Sequence, residues 1–136
     1  MAPLDADNDS ALPPLEVQTY VPLTPAPGQP LSGDGPAMER AGLVIGEWSL
    51  TGAAWTDLHM HDEITVVLEG ELHVSTSTER VTLRTGDRVA VPAGRRARYE
   101  APRHARMLYI YGPSDNGHIT IEGTYEELNV QSKRSI

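Results

Sequence analysis

The sequence predicts a single all-β domain preceded by an extended, proline-rich N-terminal arm. Three observations carry this. From about residue 40 the chain breaks into short runs rich in β-branched and aromatic residues, separated by glycine, proline and aspartate turns. No segment before residue 124 has the apolar spacing of an amphipathic helix. Eight of the 11 prolines fall within residues 1–36, where they remove backbone donors and block helix.

The arm, residues 1–38, interleaves proline with Gly, Asp and Ser, a composition expected to be extended or partly disordered. Within it Val17-Gln18-Thr19-Tyr20-Val21 is the one β-like piece, placed to add as an edge strand. The barrel is expected over residues 39–123, with strands at 43–50, 54–60, 63–69, 71–77, 80–84, 88–91, 96–101, 105–111 and 118–122. Gly70, Thr85-Gly86-Asp87, Pro92-Ala93-Gly94, Pro102 and Gly112-Pro113 punctuate them. In the tail, 124–136, Thr124-Tyr125-Glu126-Glu127 has the form of a capping box and predicts a short helix. No internal repeat is evident.

Two strands are apolar on both faces. Ile64, Val66 and Leu68 alternate with Thr65 and Val67, and Leu108 and Ile110 alternate with Met107, Tyr109 and Tyr111. A half-exposed sheet would alternate apolar with polar. One face therefore lines the interior, and the other is expected to be covered by a second subunit in a homodimer or by the arm.

A chain of 136 residues is one domain with a core large enough to fold unaided. The formal charge of −8, from 19 acidic and 11 basic residues, argues against nucleic acid or an anionic membrane as partner. There is no cysteine, which removes disulfides, thiolate metal sites and a cysteine nucleophile, and suits the cytoplasm. Met1–Leu15 carries Asp5, Asp7 and Asp9 and no apolar run, so a signal peptide is not expected. No stretch approaches the roughly 18 apolar residues of a membrane-spanning helix.

Chemistry concentrates at His59-Met60-His61-Asp62-Glu63. On a strand running straight through, His59, His61 and Glu63 share one face. Two imidazoles and a carboxylate together make either a metal site or an acid/base site.

Two motifs extend this reading. Glu63 is followed after six residues by Gly70, and Gly86-Asp87 is followed after four by Pro92-Ala93-Gly94. In order and spacing they resemble the two motifs of the cupin superfamily, over roughly residues 42–113. The resemblance implies a single cupin β-barrel, a jelly-roll-like double-stranded β-helix of the RmlC-like kind. Three pieces look most like the Q-type cupins of ethanolamine utilisation: His61-Asp62-Glu63-Ile64 with Val67-Leu68-Glu69-Gly70-Glu71-Leu72, the Gly86–Gly94 turn, and Arg106 to Pro113.

In metal-binding cupins, two histidines one residue apart precede the glutamate by three or four residues. A third histidine lies three residues beyond the Pro-x-Gly glycine, and here that position is Ala97. The pairing in the first motif has two readings. With His59 and His61 as the pair, Glu63 comes two residues early. With Glu63 in its usual place, the pair becomes Asp57 and His59, and His61 sits in the turn. The metal reading takes His59, His61 and Glu63, with Asp57 as alternative ligand, holding zinc, iron, manganese or nickel. The metal-free reading makes the same residues an acid/base set, as in some epimerases and ketoisomerases that resemble this fold.

Trp55, Tyr99 and Tyr109 are expected to contact substrate, with Tyr111 beside them and Trp48 packing. Arg95, Arg96, Arg98, Arg103 and Arg106 form a basic span suited to a carboxylate or phosphate, although alternation turns Arg96 and Arg98 outward. His73, His104 and His118 are read as surface or structural. The function expected is an enzyme acting on a small oxygenated or carboxylated metabolite, by metal-assisted or His/Glu acid-base chemistry of isomerase, lyase or cyclase type. The alternatives are a non-catalytic ligand-binding cupin and, as the resemblance implies, phosphoryl transfer between ATP and acetate.

Overall fold

The computed structural model describes residues 12–19, 23–24, 28–33, 37–113 and 120–128. Among the described residues nine strands form: β1 Leu23–Thr24, β2 Leu31–Gly33, β3 Met38–Arg40, β4 Leu43–His59, β5 Asp62–Ser75, β6 Arg80–Arg84, β7 Arg88–Val91, β8 Arg96–Gly112 and β9 Thr120–Glu127. All the pairings are antiparallel, in the order β1-β2-β4-β8-β5-β6, with β3 and β9 also on β4 and β7 also on β5.

The expected strands on either side of Gly52, Gly70 and Pro102 are continuous. β4, β5 and β8 are 17, 14 and 17 residues long, and each serves two sheets by bending in its middle. β4 shifts register between Thr51 and Ala53 around Gly52, whose φ is +57°. β5 shifts between Gly70 and His73, with Gly70 at φ +84°. A glycine inside a strand pattern marks such a corner, because a left-handed φ costs it little. Gly70 meets a second demand: a Cβ there would overlap the carbonyl oxygen of His104.

The first halves of β4 and β5 and the second half of β8 make one sheet with β2, β3 and β7. The remaining halves make the facing sheet with β6 and β9. Both sheets supply a single core, including Trp48, Val67 and Met107 from one and Leu72, Val74, Tyr99 and Ala101 from the other. Leu72 and Met107 have no exposed surface, and full burial of such side chains stabilises by about 1.5–3 kcal/mol each.

Two elements differ from expectation. Thr124–Glu127 runs as part of β9 on β4, where pairing such as Trp55 with Tyr125 outweighs a local capping signal, so no helix forms there. In the arm, residues 17–19 carry no strand, while Tyr20 and Val21 lie outside the described residues; the arm's strands are β1 and β2. His118 also lies outside the described residues. Among the described residues no helix is long and apolar enough to cross a membrane.

Candidate functional site

The short link after β4 crosses from one sheet to the other. β4 ends at His59, Met60 and His61 form a bend, and β5 begins at Asp62. The Pro92–Gly94 turn clamps this link: Gly94 N donates to His59 O at 2.9 Å, His59 N donates to Arg95 O at 3.0 Å, and Ala93 N donates to Asp62 Oδ1 at 2.8 Å. Gly94 takes φ +89° to make the turn. The two sequence motifs are thus halves of one latch.

Because of the bend, the alternation that would align His59, His61 and Glu63 is interrupted. The second reading of the spacing describes the structure: Asp57 and His59 share the inward face of β4, and His61 sits in the turn. His61 is buried, its ring 5.2 Å from that of Tyr111. His59 and Glu63 face each other from different sheets, His59 Nδ1 lying 3.7 Å from Glu63 Oε1.

A polar chain surrounds His59. The Trp55 indole donates to Asp57 Oδ2 at 3.0 Å, and Asp57 Oδ1 lies 3.0 Å from His59 Nε2. A carboxylate facing Nε2 favours the proton there, the tautomer that leaves the Nδ1 lone pair free in the neutral ring. Tyr99 Oη lies 3.0 Å from the same Nε2 and donates to Glu63 Oε1 at 3.2 Å. Asp57, His59, Glu63 and Tyr99 are all less than 9 % exposed.

Burial is the largest single influence on these protonation equilibria. It drives the Glu63 carboxyl up to about 7; the Asp57 charge adds to this, while His59 and the Tyr99 hydrogen bond oppose it. Burial works against the His59 imidazolium, yet the hydrogen bond to Asp57 and the charges of Glu63 and Asp57 leave it above the ordinary histidine value. Burial and the Glu63 and Asp57 charges hold Tyr99 well above the usual phenol range. Glu63 and His59 are thus both shifted toward holding their protons, and Tyr99 stays a neutral donor.

His59 Nδ1 and Trp48 Nε1 are among the buried polar atoms that make no hydrogen bond within the described residues. Buried polar groups are nearly always bonded, so these mark where a ligand or ordered water is received. Tyr109 and Tyr111 stand on β8 at the same end, their rings stacked at 6.1 Å. Tyr109 lies over Gly46, where any Cβ would overlap its phenol, and Trp55 lies over Gly123 in the same way. Gly46 had a sequence signal, a glycine within a strand pattern; which ring fills the space had none.

The other candidates divide clearly. Trp55 is buried and positions Asp57, and Tyr109 is half-buried. Arg98 pairs with Glu126 at 2.8 Å, and Arg106 bridges Glu47 and Glu69 at 2.5 Å each. Arg96 and Arg103 are exposed. His73 Nδ1 bonds Thr82 Oγ1 at 2.9 Å and His104 Nδ1 bonds Thr51 Oγ1 at 2.8 Å, both outside the cluster.

A metal centre fits this arrangement poorly. Ala97 occupies the interior position of the third histidine, His61 turns to Tyr111, and His59 Nε2 is engaged by Asp57 and Tyr99. Among the described residues no group of three or more His, Asp or Glu side chains is placed to hold a metal ion.

A two-sheet barrel of bent, shared strands, latched by the two glycine motifs, is the architecture of a cupin, and that is the fold of this chain. The family model for the cupin domain matches residues 50–111. Acetate kinase EutQ of Salmonella typhimurium is 35% identical over 82 residues, 60% of this chain and 34% of that protein. Acetate kinase EutQ of Clostridioides difficile is 29% identical over 76 residues, 56% of this chain and 47% of that protein. The chain thus spans between a third and a half of these relatives' length. The crystal structure of a putative ethanolamine utilization protein Q from Salmonella typhimurium aligns with a TM-score of 0.52 at 31% identity, over 54% of this chain and 60% of that one. An RmlC-like cupin from Shewanella frigidimarina aligns with a TM-score of 0.60 at 18% identity, over 71% of this chain and 86% of that one, a likeness of fold.

Proposed function

We propose that this cupin binds a small, oxygen-rich neutral metabolite in the barrel and catalyses a proton transfer of isomerase or lyase type, without metal. The observation that carries the reading is the His59–Glu63 pair, held 3.7 Å apart and oriented by Asp57 and Tyr99. A base with its lone pair on Nδ1 and an acid poised near neutrality suit removal and return of a proton beside a carbonyl. The Tyr109 phenol, half-buried at the same end, is placed to donate to the oxygen on which charge develops. The cluster pairs two carboxyl groups with one imidazole, and among the described residues no arginine or lysine joins it. That balance favours hydroxyl and carbonyl groups over an anionic substrate.

The test is exchange of substrate C–H protons into deuterated water across a panel of small hydroxycarbonyl compounds, read by NMR. Wild type is expected to exchange one class, while His59→Asn and Glu63→Gln each lose at least about a hundredfold, the usual scale of general acid–base catalysis. Equal exchange by both variants overturns the proposal. Tight binding with no exchange favours the ligand-binding alternative.

The relatives' name supports a second reading, phosphoryl transfer between ATP and acetate. Against it stands an interior cluster with no arginine or lysine among the described residues to meet acetate or phosphate. A coupled assay with ATP, magnesium and acetate decides between them. We also read the protein as a homodimer. Ile64 is 42% exposed on the outer face, beside half-buried Val66, Leu68, Leu108 and Ile110. Light scattering on the purified chain checks this, and a monomer overturns it.

A further inference from the structure

We propose a second ligand site at Arg95, adjoining the interior cluster, that takes a small carboxylate with an apolar body. Of the three half-buried arginines among the described residues, Arg98 and Arg106 pair with glutamates, whereas Arg95 has no acidic partner. Its Nη2 instead donates to Thr76 Oγ1 at 2.9 Å and Thr78 Oγ1 at 3.2 Å. Two hydroxyls hold the guanidinium in place without neutralising it, and leave Nε and Nη1 as donors. In a chain with 19 acidic residues against 11 basic, a half-buried arginine that makes no ion pair with a carboxylate points to an anion supplied from outside.

The space beside it indicates what else that anion carries. A cavity of about 360 Å³ opens at Arg95, walled by Val74, Val81, Val89 and Val91, with Thr76 and Thr78 at the guanidinium. Glu79 lines it too, from an exposed position, and makes no ion pair with Arg95. This volume lies at the small end of the range for ligand pockets. A valine wall beside one fixed fork donor suits a branched aliphatic or aromatic monocarboxylate, its apolar end on the valines and its carboxylate on Arg95. The Arg95 carbonyl is bonded to His59 N, so the backbone serves the interior site while the side chain serves this one.

The test titrates the full chain with sodium benzoate and sodium isovalerate, using benzamide and isovaleramide as uncharged controls, followed by NMR of the valine methyls. Saturable shifts at Val81 and Val89 are expected for the acids and not the amides; Val74 and Val91, the cross-strand partners of Tyr99 and Glu63, report on either site. Arg95→Gln is expected to weaken binding about tenfold or more, the scale of a lost charge-assisted hydrogen bond. Val89→Trp, which fills the cavity and leaves the arginine in place, is expected to abolish it. No saturable shift with either acid, equal binding by folded Arg95→Gln, or shifts confined to the region of His59 and Glu63 would each overturn the proposal. This outcome is independent of whether the interior site turns over substrate.

Discussion

Glu63→Gln is expected to flatten the pH dependence of this protein's stability, and the size of the effect follows from the site. In the folded chain the Glu63 carboxyl ionises at about 7, against 4.5 without the fold, chiefly because it is buried. Between those values the folded state holds a proton that the unfolded state has released. Stability then falls as pH rises, because the native state binds more protons across the window. A displacement from 4.5 to about 7 corresponds to roughly 3 kcal/mol of stability lost across it. His59, also raised, acts in the same sense: its contribution is present below the ordinary histidine value and is lost as pH climbs through the folded one. Glutamine keeps the shape, and its carbonyl still accepts from Tyr99, but it has no proton to lose. Urea unfolding of wild type and Glu63→Gln at about pH 5, 6, 7 and 8 measures the difference directly. Wild type is expected to lose most of the 3 kcal/mol and the variant to keep most of it. Parallel slopes for the two proteins would refute the argument, since Glu63 would then not titrate in the window.

Further outcomes follow from single contacts. Tyr99→Phe keeps the edge-on packing against Trp48 but removes the hydroxyl from Glu63 and His59. It is expected to cost about 1–3 kcal/mol and to raise the Glu63 ionisation further, readable from the carboxyl carbon shift. Gly46→Ala drives Tyr109 from its place over β4; a loss of about 1–3 kcal/mol with a changed near-ultraviolet dichroism is expected. Gly70→Ala combines a left-handed φ with overlap on the His104 carbonyl, and is expected to cost more than about 2 kcal/mol in urea unfolding. Asp62→Ala removes the bond to Ala93 N; a cost of about 1 kcal/mol and faster hydrogen exchange at the Ala93 amide are expected.

Much of the fold was legible because its signals are local. Gly70, Gly86 and Gly94 sit where the backbone needs a left-handed φ, and Pro92 stands in the turn, so their spacing carried the barrel. Strand positions were legible in the same way, although the corners were read as ends: a glycine in a strand reports a break in regularity, and only pairing on both sides shows that the strand continues. The Thr124–Glu127 capping signal was equally local, and the pairing of β9 with β4 overrode it.

The site was legible in its members and not in its grouping. His59, Glu63 and Tyr99 were named from the sequence, with Asp57 as an alternative, but strand alternation holds only within one strand. Once the link at Met60–His61 crosses between sheets, His61 leaves for Tyr111 and Glu63 returns to His59 from the opposite wall. Asp57 becomes the group that orients His59 because Trp55, two residues earlier on the same face, holds its other oxygen. Likewise the basic span was visible as composition, whereas which arginine lacks an acid depended largely on strands distant in sequence, with Glu126 taking Arg98 and Glu47 and Glu69 taking Arg106. By itself the sequence determined the barrel, its turns and the residues able to do chemistry, since those depend on backbone preference and spacing. Which of them meet was decided by tertiary structure, because contact between side chains on separate sheets is set by how the strands bend and pair.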